Sequence, residues 1–210
     1  VPRQRAGLAS TKAREWLHRD NVDAVTERGN SAVALSVMRI AQEKNRMSIV
    51  TGAGAVRISN EDCSPNNVHW VYDSYALANV GTKSLVKRGF KTWYYLTADY
   101  AFGHSLEGDG KRFIEDAGGK VVGTSRYPFP GNDFASYILK AQESKANAVA
   151  IATAGLDLQN AIKQGREFGL GAGGQVSVAM LMSIMDVHGL GLKNAGGMMF
   201  AETFYWDRDD

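Results

Sequence analysis

Short apolar runs alternate with longer amphipathic segments along most of the chain. Ala9–Arg19 carries Ala13, Trp16 and Leu17 at helical spacing, and "VDAV" (Val22–Val25) follows as a short buried strand. "NSAVALSVMRIAQEKN" predicts a helix capped by Asn30 or Ser31, with an apolar stripe of Ala34, Val37, Met38 and Ala41. "MSIVTG" is the next strand. A loop through Asn60–Asn67 precedes the helical "SYALANVGTKSLVKRG", which Gly89 can terminate. The strand "KTWYYLTA" is followed by the helix "GHSLEGDGKRFIEDAGG", closed by Gly118 and Gly119. The alternation continues with "KVVGTSRYPF" as strand, "DFASYILKAQESK" as helix, "AVAIATA" as strand and "LDLQNAIKQGREFG" as helix. "QVSVAML", a short helix near Ser183–Leu190 and a final strand "GMMFAETF" complete it.

Such alternation with short turns predicts an α/β fold of parallel sheets joined by right-handed crossovers. The strands are apolar without two-residue alternation, which fits sheets covered on both faces. Sheets of this kind place ligands beyond the carboxyl ends of their strands. Three of those ends are rich in small or aromatic residues: "TGAGAVR" (Thr51–Arg57), "TADYAFG" (Thr97–Gly103) and "ATAGLD" (Ala152–Asp157). By position they belong to a cleft.

Composition narrows the function. The 24 basic and 22 acidic residues leave a net charge of +2, and the basic residues form no stripe that would track phosphates. Nucleic acid is therefore not an expected partner. No run approaches the roughly 18 apolar residues of a membrane span. Cys63 is the only cysteine and carries no redox argument. "GLGAGG" formally matches a dinucleotide fingerprint, but it follows a helix rather than a strand and reads as a helix-terminating turn. "GAGAVR" lacks the lysine of a phosphate loop. His18, His69, His104 and His188 are too dispersed for a metal site, so no metal and no organic cofactor is expected. His104 with Asp99 could form an acid–base pair. The competing reading puts His104 in the first turn of its helix with no chemical role.

Longer stretches carry a resemblance. "VHWVYDSYALA", "LTADYAFGHSLE", "GGKVVG", "DFASYILKAQESKANAVAIA", "AIKQGREFGL" and "RISNEDC" are similar to the periplasmic ligand-binding proteins of ABC importers, in their branched-chain-amino-acid (Leu/Ile/Val-binding-like) group. The resemblance covers nearly the whole chain. It implies two Rossmann-like α/β lobes with ligand trapped between them, a periplasmic location, a signal peptide in the precursor, and permease subunits as partners. Mapped onto this chain, residues 1–72 make a partial first lobe, 73–203 a second lobe, and 204–210 a return crossing. Segments near His69–Asp73 and Glu202–Phe204 are expected to act as hinges. Relatives carry small residues where Glu27 and Arg28 stand, so that wall of the cleft is expected to differ.

The resemblance also assigns roles. The loops matching Gly29–Ala32 and Gly52–Ala55 hold the ligand carboxylate through backbone N–H groups and a hydroxyl, which implicates Ser31, Gly52, Ala53, Gly54 and Ala55. An aromatic from the "TADYAFG" motif closes over the ligand, matching Phe102 with Tyr100 beside it; their other reading is core packing under a loop. Amino-acid-binding relatives pair the α-ammonium with an acid where this chain has Met180 or Leu181. Asp157, beside Ala154 at the end of the preceding strand, could substitute; otherwise it caps its helix. An unpaired buried ammonium is costly. The apolar Tyr100, Phe102, Met180 and Met182 therefore favour a carboxylate with an apolar or aromatic body. The expected function is non-enzymatic solute capture for an ABC importer, against a ligand-sensing domain on the same fold and, less favoured, an enzyme using His104 and Asp99.

Overall fold

The computed structural model describes residues 5–26, 29–203 and 207. Glu27, Arg28 and Phe204, and the expectations resting on them, lie outside the described residues. The chain divides into two compact units. One comprises the residues up to Ser74 together with Tyr100–Ser105, and the other comprises Tyr75–Asp99 and the residues from Leu106 onward. Tyr100 and Phe102, read from the sequence as a second-lobe surface, thus cluster with the first unit.

The first unit holds a three-stranded parallel sheet in the order β1 (Ala24–Thr26), β2 (Met47–Val50), β3 (Asn67–His69). Helix α1 (Ala6–Arg14) runs on into a π-helical turn at Glu15–Arg19. Helix α2 (Ser31–Glu43) begins where the Asn30 side chain accepts the Val33 N–H at 3.1 Å, satisfying one of the donors a helix start leaves free. Its apolar positions serve two clusters. Val33, Val37, Ile40 and Ala41 pack with Ala9, Ala13, Leu17 and Val25, while Ala34 and Met38 pack with Val50, Ala53, Ala55 and Ile58. The second cluster seats the loop after β2 on the helix.

The second unit is built on a five-stranded parallel sheet. Its order is β5 (Lys120–Tyr127), β4 (Thr92–Ala98), β6 (Ala148–Ala152), β7 (Val176–Ala179), β8 (Met199–Phe200). Trp93 to Ala98 in β4 and all of β6 are buried, as expected of central strands covered on both faces. The edge strand β5 alternates exposure along most of its length. Helices α3 (Ser74–Lys87), α4 (Ala101–Asp116), α5 (Ala135–Glu143) and α6 (Gly155–Glu167) connect the strands, followed by the short α7 (Ile184–Leu190) and α8 (Leu192–Ala195). Helix α4 ends at Gly118, whose φ of +80° suits a residue without a Cβ. At the amino ends of β4 and β6 the Asn147 side chain accepts the Lys91 and Thr92 N–H groups at 3.1 and 3.0 Å, locking their register. Strand β3, a 3-10 turn at Val56–Ile58 and helix α8 have no counterpart in the sequence pattern.

Candidate functional site

In the first unit the carboxyl end of β2 runs into the loop Thr51–Ala55, and several polar backbone groups at its far end have defined partners. The Ala55 N–H donates to Ser31 Oγ at 3.2 Å, and Ser31 itself is 1% exposed. The Gly54 carbonyl accepts the Ser74 N–H at 2.7 Å, and Ser74 Oγ accepts the Val56 N–H at 3.1 Å. The Ala55 carbonyl accepts the Ile58 N–H at 3.0 Å. The Ala53 carbonyl meets His69 Nε2 at 2.8 Å. For the Gly54 N–H the described hydrogen bonds give no partner. Ser31, Ala53, Gly54 and Ala55 are buried and Gly52 is half-buried. The Ser31 hydroxyl therefore shapes this loop from within.

Gly54 is required by close approach. A Cβ there would lie 2.9 Å from Tyr72 Cε2 and 3.1 Å from Phe102 Cε2. Phe102, 4% exposed, rests its ring on this glycine, and Tyr100 lies 6.3 Å from it in a tilted arrangement. His104, which donates its backbone N–H to the Tyr100 carbonyl, is exposed in the first turn of α4.

In the second unit the carboxyl ends of β4, β5, β6 and β7 bring together Thr97, Tyr127, Thr153, Ala154 and Met180. The hydroxyls of Thr97 and Thr153 are buried with no hydrogen-bond partner. Met180 is 2% exposed, with its Cε near Gly110 of α4. Asp157 stands in the first turn of α6, whose cap position is Ala154. Its carboxylate accepts the Gly131 N–H at 2.8 Å, and Gln164 one face further along accepts the Phe134 N–H at 2.7 Å. Together these two side chains fasten the loop between β5 and α5 to α6. An open depression of about 420 Å³ lies at the opposite, amino end of this sheet, lined by Gln142, Lys145, Asn147 and Gln175 among others. Among the described residues no group of three His, Cys, Asp or Glu could hold a metal ion, and no helix is long and apolar enough to cross a membrane.

Burial raises the Asp157 carboxyl above its ordinary value of 3.8, opposed by the hydrogen bond it accepts from Gly131 and by the Tyr127 hydroxyl nearby. The raised value means the folded chain holds this proton more tightly than the unfolded one. Its stabilisation is present below the ordinary carboxylate range and is lost as pH rises through the raised value. Urea unfolding of Asp157→Asn against the parent should show the parent losing stability relative to the variant as pH rises from about 3 to 7. A constant difference would remove Asp157 as the cause.

Three of these contacts escaped sequence reasoning: His69, Ser74 and Tyr72. Their signal is the run "HWVYDS" after a strand only three residues long.

The sequence profile described as periplasmic binding protein matches residues 3–210. A solved periplasmic binding protein from Burkholderia mallei is 45% identical, with a TM-score of 0.92 over 98% of this chain and 54% of its own. A branched-chain amino acid ABC transporter periplasmic ligand-binding protein from Burkholderia xenovorans is 32% identical, with a TM-score of 0.78 over 99% of this chain and 55% of its own. The fold is shared by an ABC-transporter solute-binding protein from Rhodopseudomonas palustris in complex with 3,4-dihydroxybenzoic acid, 24% identical, with a TM-score of 0.77 over 83% of this chain and 48% of its own. No curated protein matches. The chain spans about half the length of these solved structures.

Proposed function

The chain belongs to the periplasmic binding protein family, and from that premise we propose that it captures a small carboxylate-bearing ligand for the permease subunits of an ABC importer, outside the cytoplasmic membrane. The observation that carries this reading is the loop after β2. The Ala53, Gly54 and Ala55 carbonyls and the Ala55 and Val56 N–H groups are occupied internally, while the described hydrogen bonds give the buried Gly54 N–H no partner. A buried donor left unsatisfied is costly, and an acceptor oxygen from a ligand would remove that cost. No catalytic role is assigned to His104 or Asp99.

The ligand is an acid with an apolar or aromatic body in preference to a zwitterionic amino acid. The proposed contacts in the first unit are Gly52, Ala53, Gly54 and Ala55, shaped by Ser31, with Tyr100 and Phe102. Those in the second unit are Ala154, Asp157 and Met180. The Asp157 carboxylate already accepts a backbone N–H, and Met180 is apolar and buried, so neither supplies a ready counter-charge to an ammonium. That a distant relative of the same fold is complexed with a dihydroxybenzoic acid supports the aromatic side of this choice.

A thermal-shift panel of aromatic carboxylates, aliphatic carboxylates and free α-amino acids tests it. A ligand at a hundred times its Kd adds about 2.7 kcal/mol. At roughly 2–4 °C per kcal/mol for a chain of this size, the midpoint should rise by about 5–10 °C. Aromatic or apolar acids should give that rise. Stabilisation by the free α-amino acids alone, or by none of the panel, would overturn the proposal.

A further inference from the structure

His69 closes β3, paired in register with Val50 at the end of β2, directly beside the start of the Thr51–Ala55 loop. Both of its ring nitrogens are engaged within the first unit. Nε2 lies 2.8 Å from the Ala53 carbonyl and Nδ1 lies 2.6 Å from Ser59 Oγ. A carbonyl oxygen can only accept, so the Nε2–H donates to Ala53. In the neutral ring Nδ1 then accepts from the Ser59 hydroxyl. One imidazole thereby joins the loop after β2 to the turn that follows the 3-10 segment Val56–Ile58.

The geometry of a trans peptide gives this contact its consequence. The Ala53 C=O and the Gly54 N–H belong to one planar unit and point in opposite directions. Fixing the carbonyl on His69 therefore fixes the direction of the amide hydrogen. The next peptide group is held at both ends, with the Gly54 carbonyl on the Ser74 N–H and the Ala55 N–H on Ser31 Oγ. The side chains of Tyr72 and Phe102 occupy the space that a Cβ on Gly54 would need, so they pack against this residue. The Gly54 N–H is thereby aimed, and the described hydrogen bonds give it no partner.

We infer that His69 is a positioning residue: by holding the Ala53 carbonyl through Nε2–H it presents the Gly54 N–H to the ligand. The functional half of this inference rests on the loop being the carboxylate holder; the positioning half does not. A donor at the same reach should substitute, so His69→Gln is the conservative variant and His69→Ala the disruptive one. Ser59→Ala removes the Nδ1 contact only and leaves the Ala53 contact standing.

The experiment uses the whole chain labelled with ¹⁵N. Long-range ¹H–¹⁵N spectra of the wild-type imidazole should show a ring proton on Nε2 of His69. Amide exchange at Ala55 should accelerate at least tenfold in His69→Ala and return towards wild type in His69→Gln. Sodium benzoate, titrated as the probe, should shift the wild-type Gly54 amide resonance, with an apparent affinity about tenfold weaker in His69→Ala. A neutral ring protonated on Nδ1, or unchanged Ala55 exchange in His69→Ala, would overturn the positioning role, and the first needs no variant to fold. Accelerated exchange with no Gly54 response to benzoate or to any carboxylate of the thermal panel would leave the positioning role standing and overturn the assignment of the loop to the ligand.

Discussion

Replacing Gly110 with alanine is expected to destabilise the chain by about 2 kcal/mol, although the same change in an open helix would stabilise it. Exposed helix interiors favour alanine over glycine by about 1 kcal/mol. Here a Cβ would stand 1.9 Å from the Tyr95 phenol oxygen and 3.1 Å from its Cζ, with Met180 Cε at 3.4 Å. Tyr95 is fully buried in a central strand and cannot swing aside, so the overlap has to be relieved by moving α4 or the ring. Such overpacking costs about 1–3 kcal/mol before any gain in propensity is counted. The hydroxyl itself is a burden, being buried without a hydrogen-bond partner; desolvation, with Glu107 and Asp109 nearby, pushes its pKa up. Tyr95→Phe should therefore be neutral or stabilising by up to about 1 kcal/mol, since it removes a polar atom whose desolvation was never offset. In the Tyr95→Phe background, Gly110→Ala should cost markedly less, because the nearest atom is gone. The cycle measured by urea unfolding should show a coupling of at least about 1 kcal/mol. Strict additivity would mean that the two positions do not meet as described.

How much of this was visible beforehand depended on the length of each element. The helices α2, α4 and α6 and the strands β4 and β6 were legible because each repeats its periodicity over several turns or buries every position. Strand β3 was not. It has three residues, its central Val68 is more than a third exposed, and the polar Asn66 and Asn67 before it read as loop. The π-helical turn was hidden for a different reason. Trp16 and Leu17 reach the core whether the turn closes at four residues or five, so apolar spacing cannot tell the two apart.

The packing around the candidate site was legible in outline and opaque in detail. Small residues after β2 marked Gly52–Ala55 as a place of close approach, and the structure puts the ring of Phe102 against Gly54. The direction of a hydroxyl is another matter. The resemblance implicates the Ser31 hydroxyl in holding the ligand; its oxygen also accepts the Ala55 N–H inside the unit, a partner 24 positions away. The contact of His69 with Ala53 spans 16 positions, and local pattern carries no information about such a pair. Asp157 presents the same lesson, because its partner Gly131 lies 26 positions away on a loop that the sequence left featureless.

Phe102 packs against Gly54, and if the proposed site is right its removal should be felt in both stability and binding. The ring is 4% exposed, rests on Gly54 and shares that glycine with Tyr72. Truncating a buried phenylalanine to alanine costs about 3–5 kcal/mol, so Phe102→Ala should lower the unfolding free energy by at least about 3 kcal/mol. The loop would also lose the ring that packs against Gly54. A tenfold loss of affinity, about 1.4 kcal/mol, is the expected minimum for the ligand found by the thermal panel. Phe102→Leu separates the two effects: it restores most of the buried volume and should recover most of the stability, while a branched chain covers Gly54 less completely than a flat ring. Affinity that recovers less than stability would place Phe102 in the binding machinery. Affinity that follows stability point for point would reduce it to core packing. His104→Ala is the control, because that histidine is exposed on α4 and enters neither argument. Calorimetry on the three variants, with urea unfolding alongside, decides the matter. If His104→Ala abolished binding while Phe102→Ala left it untouched, the aromatic reading of this stretch would fall and an acid–base role for His104 with Asp99 would take its place.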